Sequence, residues 1–247
     1  MTANRVIAVT GASRGIGAAI AFELAQAGHV VGCLSREGRL PKVEGNGDWA
    51  GNLVSLACDV TDETSIRCAM LLLAEKAGRI DGLVNNAGIH LEFASDQLQT
   101  ADYERVMATN ATAVFVACRE VYPHLVRNGG GTIINIGSFY DKLGVKRNLA
   151  YCASKAAVGA LTRCLAVEWA KQGIRVLDVA PGYIETDLNR AAVASGPLSE
   201  FLRRRIPGGD IGKEADVARL VRMILSENIR FLTGETIYLD GGQGMAL

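Results

Sequence analysis

The chain has 247 residues, 49% of them hydrophobic and 21% charged, which suits one well-cored globular domain. Lys plus Arg and Asp plus Glu both number 26, so the charge balance favours neither nucleic acid nor an anionic membrane as partner. Cys33, Cys58, Cys68, Cys118, Cys152 and Cys164 show no CxxC or metal-ligand spacing; no metal is expected, and they read as buried free thiols in a reducing compartment.

An apolar, β-branched run over 6–10 predicts a first strand that begins too early for a signal peptide. It runs into Thr10-Gly11-Ala12-Ser13-Arg14-Gly15-Ile16-Gly17, whose glycines permit a tight turn and close backbone approach. A helical pattern over 16–27 follows, so the helix N-terminus would offer free amides to a pyrophosphate. The Gly-x-x-x-Gly-x-Gly spacing is not the Gly-x-Gly-x-x-Gly fingerprint, and tight packing would also account for these glycines. A strand over 30–34 precedes a stretch, 37–52, that carries Pro41 and four glycines; a full crossover helix is not expected there. Then come a strand over 53–58, a helix over 65–76, a strand over 83–86 and a long helix over 103–126. A strand over 132–136, a helix over 153–172 and a strand over 175–179 continue the alternation. The segment 187–213 breaks it, with Gly196-Pro197 and Pro207-Gly208-Gly209 around a short basic helix, and is placed to fold over the sheet's carboxyl edge as a lid. A helix over 215–226 and a strand over 236–239 complete the pattern. Apolar strands alternating with helices predict one α/β domain over 1–247: a doubly wound, Rossmann-type parallel sheet of about seven strands with helices on both faces. No apolar run approaches membrane-spanning length, and a cytoplasmic location is expected.

Tyr151 and Lys155 stand four apart in Tyr-Cys-Ala-Ser-Lys, which puts them on one helix face. A fixed ammonium beside a phenol favours the phenolate, and one close cation is expected to lower the tyrosine by roughly two units. On an exposed helix the same pair would be mere decoration.

The glycine turn, Asn85-Asn86-Ala87-Gly88, Tyr151-x-x-x-Lys155 and Pro181-Gly182 occur together in order and spacing, and the pattern continues through Leu239-Asp240-Gly241-Gly242. In this the chain resembles a short-chain dehydrogenase/reductase along essentially its whole length. Within that family it looks most like 3-oxoacyl-acyl-carrier-protein reductases, through Pro181-Gly182-Tyr183-Ile184-Glu185-Thr186-Asp187 and Leu232-Thr233-Gly234-Glu235. The resemblance implies an oxidoreductase interconverting a ketone and a secondary alcohol with a nicotinamide cofactor. It implies a catalytic set of Asn110, Ser138, Tyr151 and Lys155. Tyr151 would move the proton, Lys155 would tune Tyr151 and hold the nicotinamide ribose, Ser138 would bond the carbonyl oxygen, and Asn110 would anchor a water leading from Lys155.

The implied cofactor site takes in Gly11, Ser13, Arg14, Gly15, Ile16 and Gly17. Asp59 and Val60 would seat the adenine, although Asp59 also reads as a helix cap shared with Asp62. Asn86, Ala87 and Gly88 would flank the adenosine ribose, or simply turn the chain after a strand. Pro181 and Gly182 lead to Ile184 and Thr186, which would hold the nicotinamide carboxamide. The second strand ends Ser35-Arg36 with no acid before Glu37, so Arg36, Arg14 and Ser35 are expected to select NADP(H) through its 2′-phosphate.

The loop from Phe139 to Ala150 and the lid are expected to wall the substrate site. Lys142, Lys146, Arg147 and Arg203-Arg204-Arg205 would attract an acyl carrier protein or form a solvated face. Arg127 and Lys171 are expected near the entrance, and His90 reads as a substrate contact or a surface residue. Val114, Phe115, Val116, Val121, Val158, Leu161, Leu165, Val167 and Trp169 exceed what one sheet face would bury, and Ala153, Ala157 and Ala160 form a small-residue stripe; a homotetramer or dimer is expected. The favoured substrate is a 3-oxoacyl thioester in fatty acid metabolism. The alternatives are a sugar, polyol or other small ketone and, from another class, a non-catalytic NADP-sensing protein.

Overall fold

The computed structural model describes residues 4–42, 48–186 and 189–245. Strands β1 (Val6–Thr10), β2 (Val30–Ser35), β3 (Leu53–Ala57), β4 (Gly82–Asn85), β5 (Gly131–Ile136) and β6 (Ile174–Pro181) alternate with helices α1 (Gly15–Gln26), α2 (Glu63–Ala77), α3 (Thr100–Met107), α4 (Ala113–Arg127) and α5 (Leu149–Trp169). After β6 come β7 (Ile184–Glu185), α6 (Arg190–Ala194), α7 (Pro197–Arg205), β8 (Gly212–Lys213), α8 (Glu214–Ser226) and β9 (Thr236–Leu239). Seven strands form one parallel sheet in the order β3-β2-β1-β4-β5-β6-β9. The order reverses at β1, so a crevice opens between β1 and β4 at the carboxyl ends of the strands.

Both faces of the sheet are covered, which is why the strands read as continuous apolar runs. All five residues of β1 and all eight of β6 are buried. On one face Val9, Val31, Val84 and Val179 pack against Ile20 and Leu24 of α1 and Val217 and Val221 of α8. On the other, Leu83, Ile133 and Val176 pack against Met70 of α2, Val121 of α4 and Val158 of α5.

Local signals explain the ends of elements. Asp62 caps α2 by accepting from the Thr64 amide at 2.8 Å, and Gly78 ends the helix with φ +80°. The described residues between β2 and β3 hold only a 3-10 turn, Asp48–Asn52, as Pro41 and the glycines implied; residues 43–47 of that stretch lie outside the described residues.

The structure departs from the expected elements in three places. The helix expected over 103–126 is two helices joined by a π turn, Ala108–Thr112, in which the Ala113 amide reaches back to the Ala108 carbonyl. Thr109 Oγ1 donates to the Arg105 carbonyl at 2.9 Å there, and such side-chain bonding competes with the regular ladder. α5 begins at Leu149 rather than at 153, so Tyr151 lies in its first turn. The thiols are all free, but Cys68 and Cys164 are exposed, against the expectation of burial.

Between β6 and α8 the described part of the lid segment makes a small cluster of its own, Val193, Leu202 and Ile206 with Tyr183 and Ile211. The parallel pair β7–β8 ties it to the sheet's carboxyl edge. Asp187 and Leu188 lie outside the described residues.

Candidate active site

The glycine turn is built around one amide side chain. Asn86 Nδ2 donates to the carbonyls of Thr10 at 3.0 Å and Gly11 at 3.3 Å, while Thr10 Oγ1 accepts from the amides of Asn86 at 2.9 Å and Ala87 at 3.1 Å. These bonds lock the loop after β1 to the loop after β4, so the Asn86 side chain builds the cradle rather than reaching for a ribose. Gly17 has no room for a side chain: a Cβ would sit 2.3 Å from the Gly11 carbonyl oxygen and 2.4 Å from Asn86 Nδ2. Gly11 and Gly15 hold φ +66° and +60°, conformations that favour glycine.

α1 starts above this turn with no capping side chain and no acid in its first turn. Its free amides therefore face the crevice as a site for an anion. Ser13 and Ile16 are partly exposed beside it, and Arg14 is exposed.

Val60 and Ala87 border a small recess with Thr10, Asn85, Thr109, Ala113 and Val114. Asp59 is not the cap of α2. Its Oδ1 accepts from the Thr61 amide at 2.9 Å and Thr61 Oγ1 at 2.7 Å, and these bonds, with Arg36 nearby, hold its carboxyl below the usual range. Gly88 packs on Asn110, with space for a Cβ only 3.3 Å from Oδ1.

At the end of β2, Arg36 is exposed and Glu37 is drawn into an ion pair with Arg39. Ser35 differs from expectation. Its buried hydroxyl donates to the Arg39 carbonyl at 3.1 Å, so the proton expected to serve a phosphate is already committed.

The catalytic candidates converge at the carboxyl ends of β4, β5 and β6. Asn110 is buried in the π turn, where Oδ1 accepts from the Ile89 amide at 2.8 Å and Nδ2 donates to the Ile89 carbonyl at 2.9 Å and Ser154 Oγ at 3.1 Å. Ser154, which sequence reasoning missed, passes the chain on by donating to the Tyr151 carbonyl at 2.8 Å. The amide of Asn110 is thus a clamp between the loop after β4 and the first turn of α5. Ser138 follows β5, and its Oγ accepts from the Tyr140 amide at 3.2 Å, which leaves its proton to donate elsewhere.

Tyr151 and Lys155 share a face of α5, with Lys155 Nζ 5.6 Å from the centre of the tyrosine ring. The expected lowering of the tyrosine is not what the structure shows. Burial pushes Tyr151 up to about 12, with Ser138 opposing. Burial lowers Lys155 to about 8, opposed by Asp178, and Nζ donates to the Ile136 carbonyl at 2.7 Å. Desolvation is the largest influence on both groups, Lys155 being buried and Tyr151 partly buried.

Aromatic groups surround the tyrosine. The His90 ring lies 4.6 Å from it and Tyr140 lies 5.9 Å away, edge on. His90 is exposed, as a surface residue would be, yet it is held against the site, its Nε2 bonding Asn148 Oδ1. Tyr140 and Tyr183 join hydroxyls at 2.8 Å across the site.

Pro181 ends β6, and Gly182 lies so close to β9 that a Cβ would come 2.7 Å from the Asp240 Cα. Ile184 and Thr186 stand at the same edge. Asn189 holds both, accepting from the Thr186 amide at 2.8 Å and donating to the Ile184 carbonyl at 2.8 Å.

Two expectations about the surface change. Arg127 and Lys171 follow the ends of α4 and α5 just before β5 and β6 begin, so they lie at the opposite edge of the sheet from the crevice. Of the apolar positions thought to be in surplus, Val114, Val116, Val121, Val158 and Leu165 are buried in the chain's own core; Phe115 and Val167 remain exposed, Val167 at 82%.

The uncapped amides of α1 and the Val60–Ala87 recess fit a nicotinamide dinucleotide, whose pyrophosphate Gly11 to Gly17 would hold and whose nicotinamide ribose Lys155 would hold. Among the described residues no cluster of His, Cys, Asp or Glu suits a metal ion, and no helix is long and apolar enough to cross a membrane.

The family model described as Enoyl-(Acyl carrier protein) reductase matches residues 11–243. The chain is 35% identical over 244 residues to 2-(R)-hydroxypropyl-CoM dehydrogenase of Xanthobacter autotrophicus, covering 96% of this chain and 98% of that one. It is 34% identical over 244 residues to 3-oxoacyl-[acyl-carrier-protein] reductase FabG of Vibrio cholerae, covering 98% of both. The solved structure of ElxO with NADP bound superposes with a TM-score of 0.90 at 31% identity, covering 97% of this chain and 98% of that one. The chain belongs to the short-chain dehydrogenase/reductase family, oxidoreductases that act between a secondary alcohol and a ketone with a nicotinamide cofactor.

Proposed function

We propose that the protein is an NADP(H)-dependent ketone reductase whose substrate is a 3-oxoacyl thioester. One observation carries the chemistry: Tyr151, Ser138 and Lys155 meet at the crevice, beside an uncapped helix N-terminus. When bound, the nicotinamide cofactor supplies the hydride. Tyr151, which burial pushes up to about 12, keeps its proton at neutral pH and delivers it to the forming alkoxide. The Ser138 proton, left over once its oxygen accepts from Tyr140, donates to the same substrate oxygen. Lys155 puts a positive charge beneath the tyrosine and is lowered to about 8, so reduction should be favoured below that pH. Asn110 and Ser154 hold the first turn of α5, and so Tyr151, in place.

For the cofactor, exposed Arg36 at the end of β2 supports NADP(H), as does the pairing of Glu37 with Arg39 instead of a ribose. For the substrate, the full-length likeness to the Vibrio cholerae 3-oxoacyl reductase is the support. A second reading, a small polar ketone, is favoured by the hydroxyl and imidazole groups of Tyr140, Tyr183 and His90 around Tyr151. The exposed Phe115, Val167 and Ala160 on α4 and α5 support assembly as a homotetramer or dimer through those helices. The test compares kcat/KM for acetoacetyl thioesters, sugars and small diketones, with NADPH and NADH in parallel. A sugar or diketone ahead by orders of magnitude overturns the thioester reading, and faster turnover with NADH overturns the cofactor reading.

A further inference from the structure

Beneath Tyr151 and Lys155 the sheet carries a row of polar side chains. Asn85, Asn135, Asp178 and Thr236 are successive register partners on β4, β5, β6 and β9. Asn85 Nδ2 donates to Asn135 Oδ1 at 2.9 Å, Asn135 Nδ2 donates to Thr162 Oγ1 at 2.9 Å, and Thr236 Oγ1 donates to Asp178 Oδ2 at 3.2 Å. The two amides are matched. Asp178 is less so: it is 0% exposed, and its Oδ1 makes no well-formed hydrogen bond among the described residues, the nearby Gly137 amide being committed to the Val179 carbonyl. A carboxylate buried in this way is costly unless an opposite charge stands near it.

The end of β5 shows where that charge is. The carboxylate presses on Gly137, where a Cβ would lie 2.4 Å from Oδ1 and 2.7 Å from Oδ2. The carbonyl of the preceding residue, Ile136, accepts from Lys155 Nζ at 2.7 Å. Lys155 is itself only 6% exposed, and a neutral carbonyl cannot cancel its charge. Two buried, opposite charges therefore flank one short piece of backbone.

We propose that Asp178 is a positioning residue of this site, the buried counter-charge that keeps Lys155 protonated beneath Tyr151. The proposal rests on the reading of Tyr151 and Lys155 as the redox site. The electrostatics of both partners agree with it. Burial raises Asp178 to about 6, with Lys155 the largest opposing influence, and Asp178 is what opposes the lowering of Lys155. The other groups facing the pair are Asp141 on the turn after β5, which repels Asp178, and Tyr238 on β9, which donates to Asp141 Oδ2 at 2.8 Å and feels Arg163 of α5. From α5 itself Tyr151 faces Lys155. With Asp178 neutralised, Lys155 falls further and loses its proton within the neutral range.

Two readouts on the full chain test this. In competitive acetylation with acetic anhydride between pH 5 and 10, the Lys155 peptide is quantified by mass spectrometry without cofactor. Asp178→Asn should lower the midpoint of Lys155 labelling by a unit or more; an unchanged midpoint overturns the proposal. In ketone reduction, Asp178→Asn should reduce kcat/KM by about fivefold or more further at pH 8 than at pH 6, the ratio that a one-unit fall of Lys155 from about 8 gives. An equal loss at both values marks a merely structural role and also overturns it. If no ketone is turned over, the redox reading fails while the labelling still decides the counter-charge. Should the Asn variant not fold, Asp178→Ser is expected to give the same shift. Failing both, labelling of the unsubstituted protein must rise less than tenfold per pH unit around pH 6, where Asp178 ionises; a full tenfold rise there overturns the pairing.

Discussion

Gly17→Ala tests the cradle directly, because the added methyl has nowhere to go. It would meet the Gly11 carbonyl oxygen at 2.3 Å, its carbon at 2.9 Å and Asn86 Nδ2 at 2.4 Å. The first two are backbone atoms, and Asn86 is held by its bonds to Thr10 and Gly11, so α1 itself must shift. Overpacking of this kind costs about 1–3 kcal/mol, and weakening the two Asn86 bonds adds roughly 1–2 kcal/mol. Alanine recovers about 1 kcal/mol of helix propensity, which leaves a net loss of about 1–4 kcal/mol, centred on about 2.5 kcal/mol. For a chain of this size that is a fall in Tm of roughly 5–10 °C. Because the shift moves the α1 amides, the Kd for NADPH should rise at least tenfold while kcat at saturating cofactor changes little. Gly51→Ala is the control, since nothing lies within 4 Å of its added Cβ. Thermal melts and isothermal titration of both variants decide the matter. A Gly17→Ala protein melting within about 2 °C of the unsubstituted one, with unchanged NADPH affinity, would refute the packing argument.

Tyr151→Phe should abolish turnover with NADPH binding almost unchanged, because only the proton-carrying hydroxyl is removed; near-normal kcat in steady-state kinetics would remove Tyr151 from the mechanism. Arg36→Ala should weaken NADPH by about 1.5–3 kcal/mol and NADH little, as read by titration of each cofactor; equal losses would show that Arg36 does not meet the 2′-phosphate. Ala160→Arg on the exposed side of α5 should dissociate the oligomer in sedimentation velocity, and a monomeric unsubstituted protein at micromolar concentration would remove the basis for that prediction.

Much of the fold was legible because it depends on local patterns. Continuous apolar runs marked strands buried on both faces, and the family resemblance carried by the motifs grouped Ser138, Tyr151 and Lys155 in one site. The break at 37–52 was visible because Pro41 and glycines disfavour a helix whatever surrounds them. Asn110 was named by the family resemblance, but its π turn depends on partners at Ile89 and Ser154 that are distant in sequence. The extent of α5 was misread for a related reason: Asn148 is its N-cap, but the side chain bonds the Lys146 carbonyl and His90 instead of capping the helix, and those partners depend on the fold.

Residue order was enough to specify a doubly wound parallel sheet, a glycine turn feeding a helix N-terminus, and a tyrosine and lysine one helical turn apart. Periodicity and steric freedom are properties of neighbouring residues, so they survive without tertiary context. Protonation is different, because it depends on what excludes water. The spacing of Tyr151 and Lys155 suggested a lowered tyrosine, whereas the folded chain buries Lys155, partly buries Tyr151, and moves Tyr151 up to about 12 and Lys155 down to about 8. Nor does any local pattern tie Asp178 to Lys155 or His90 to Tyr151; those meetings were decided by strands and loops brought together across the sheet.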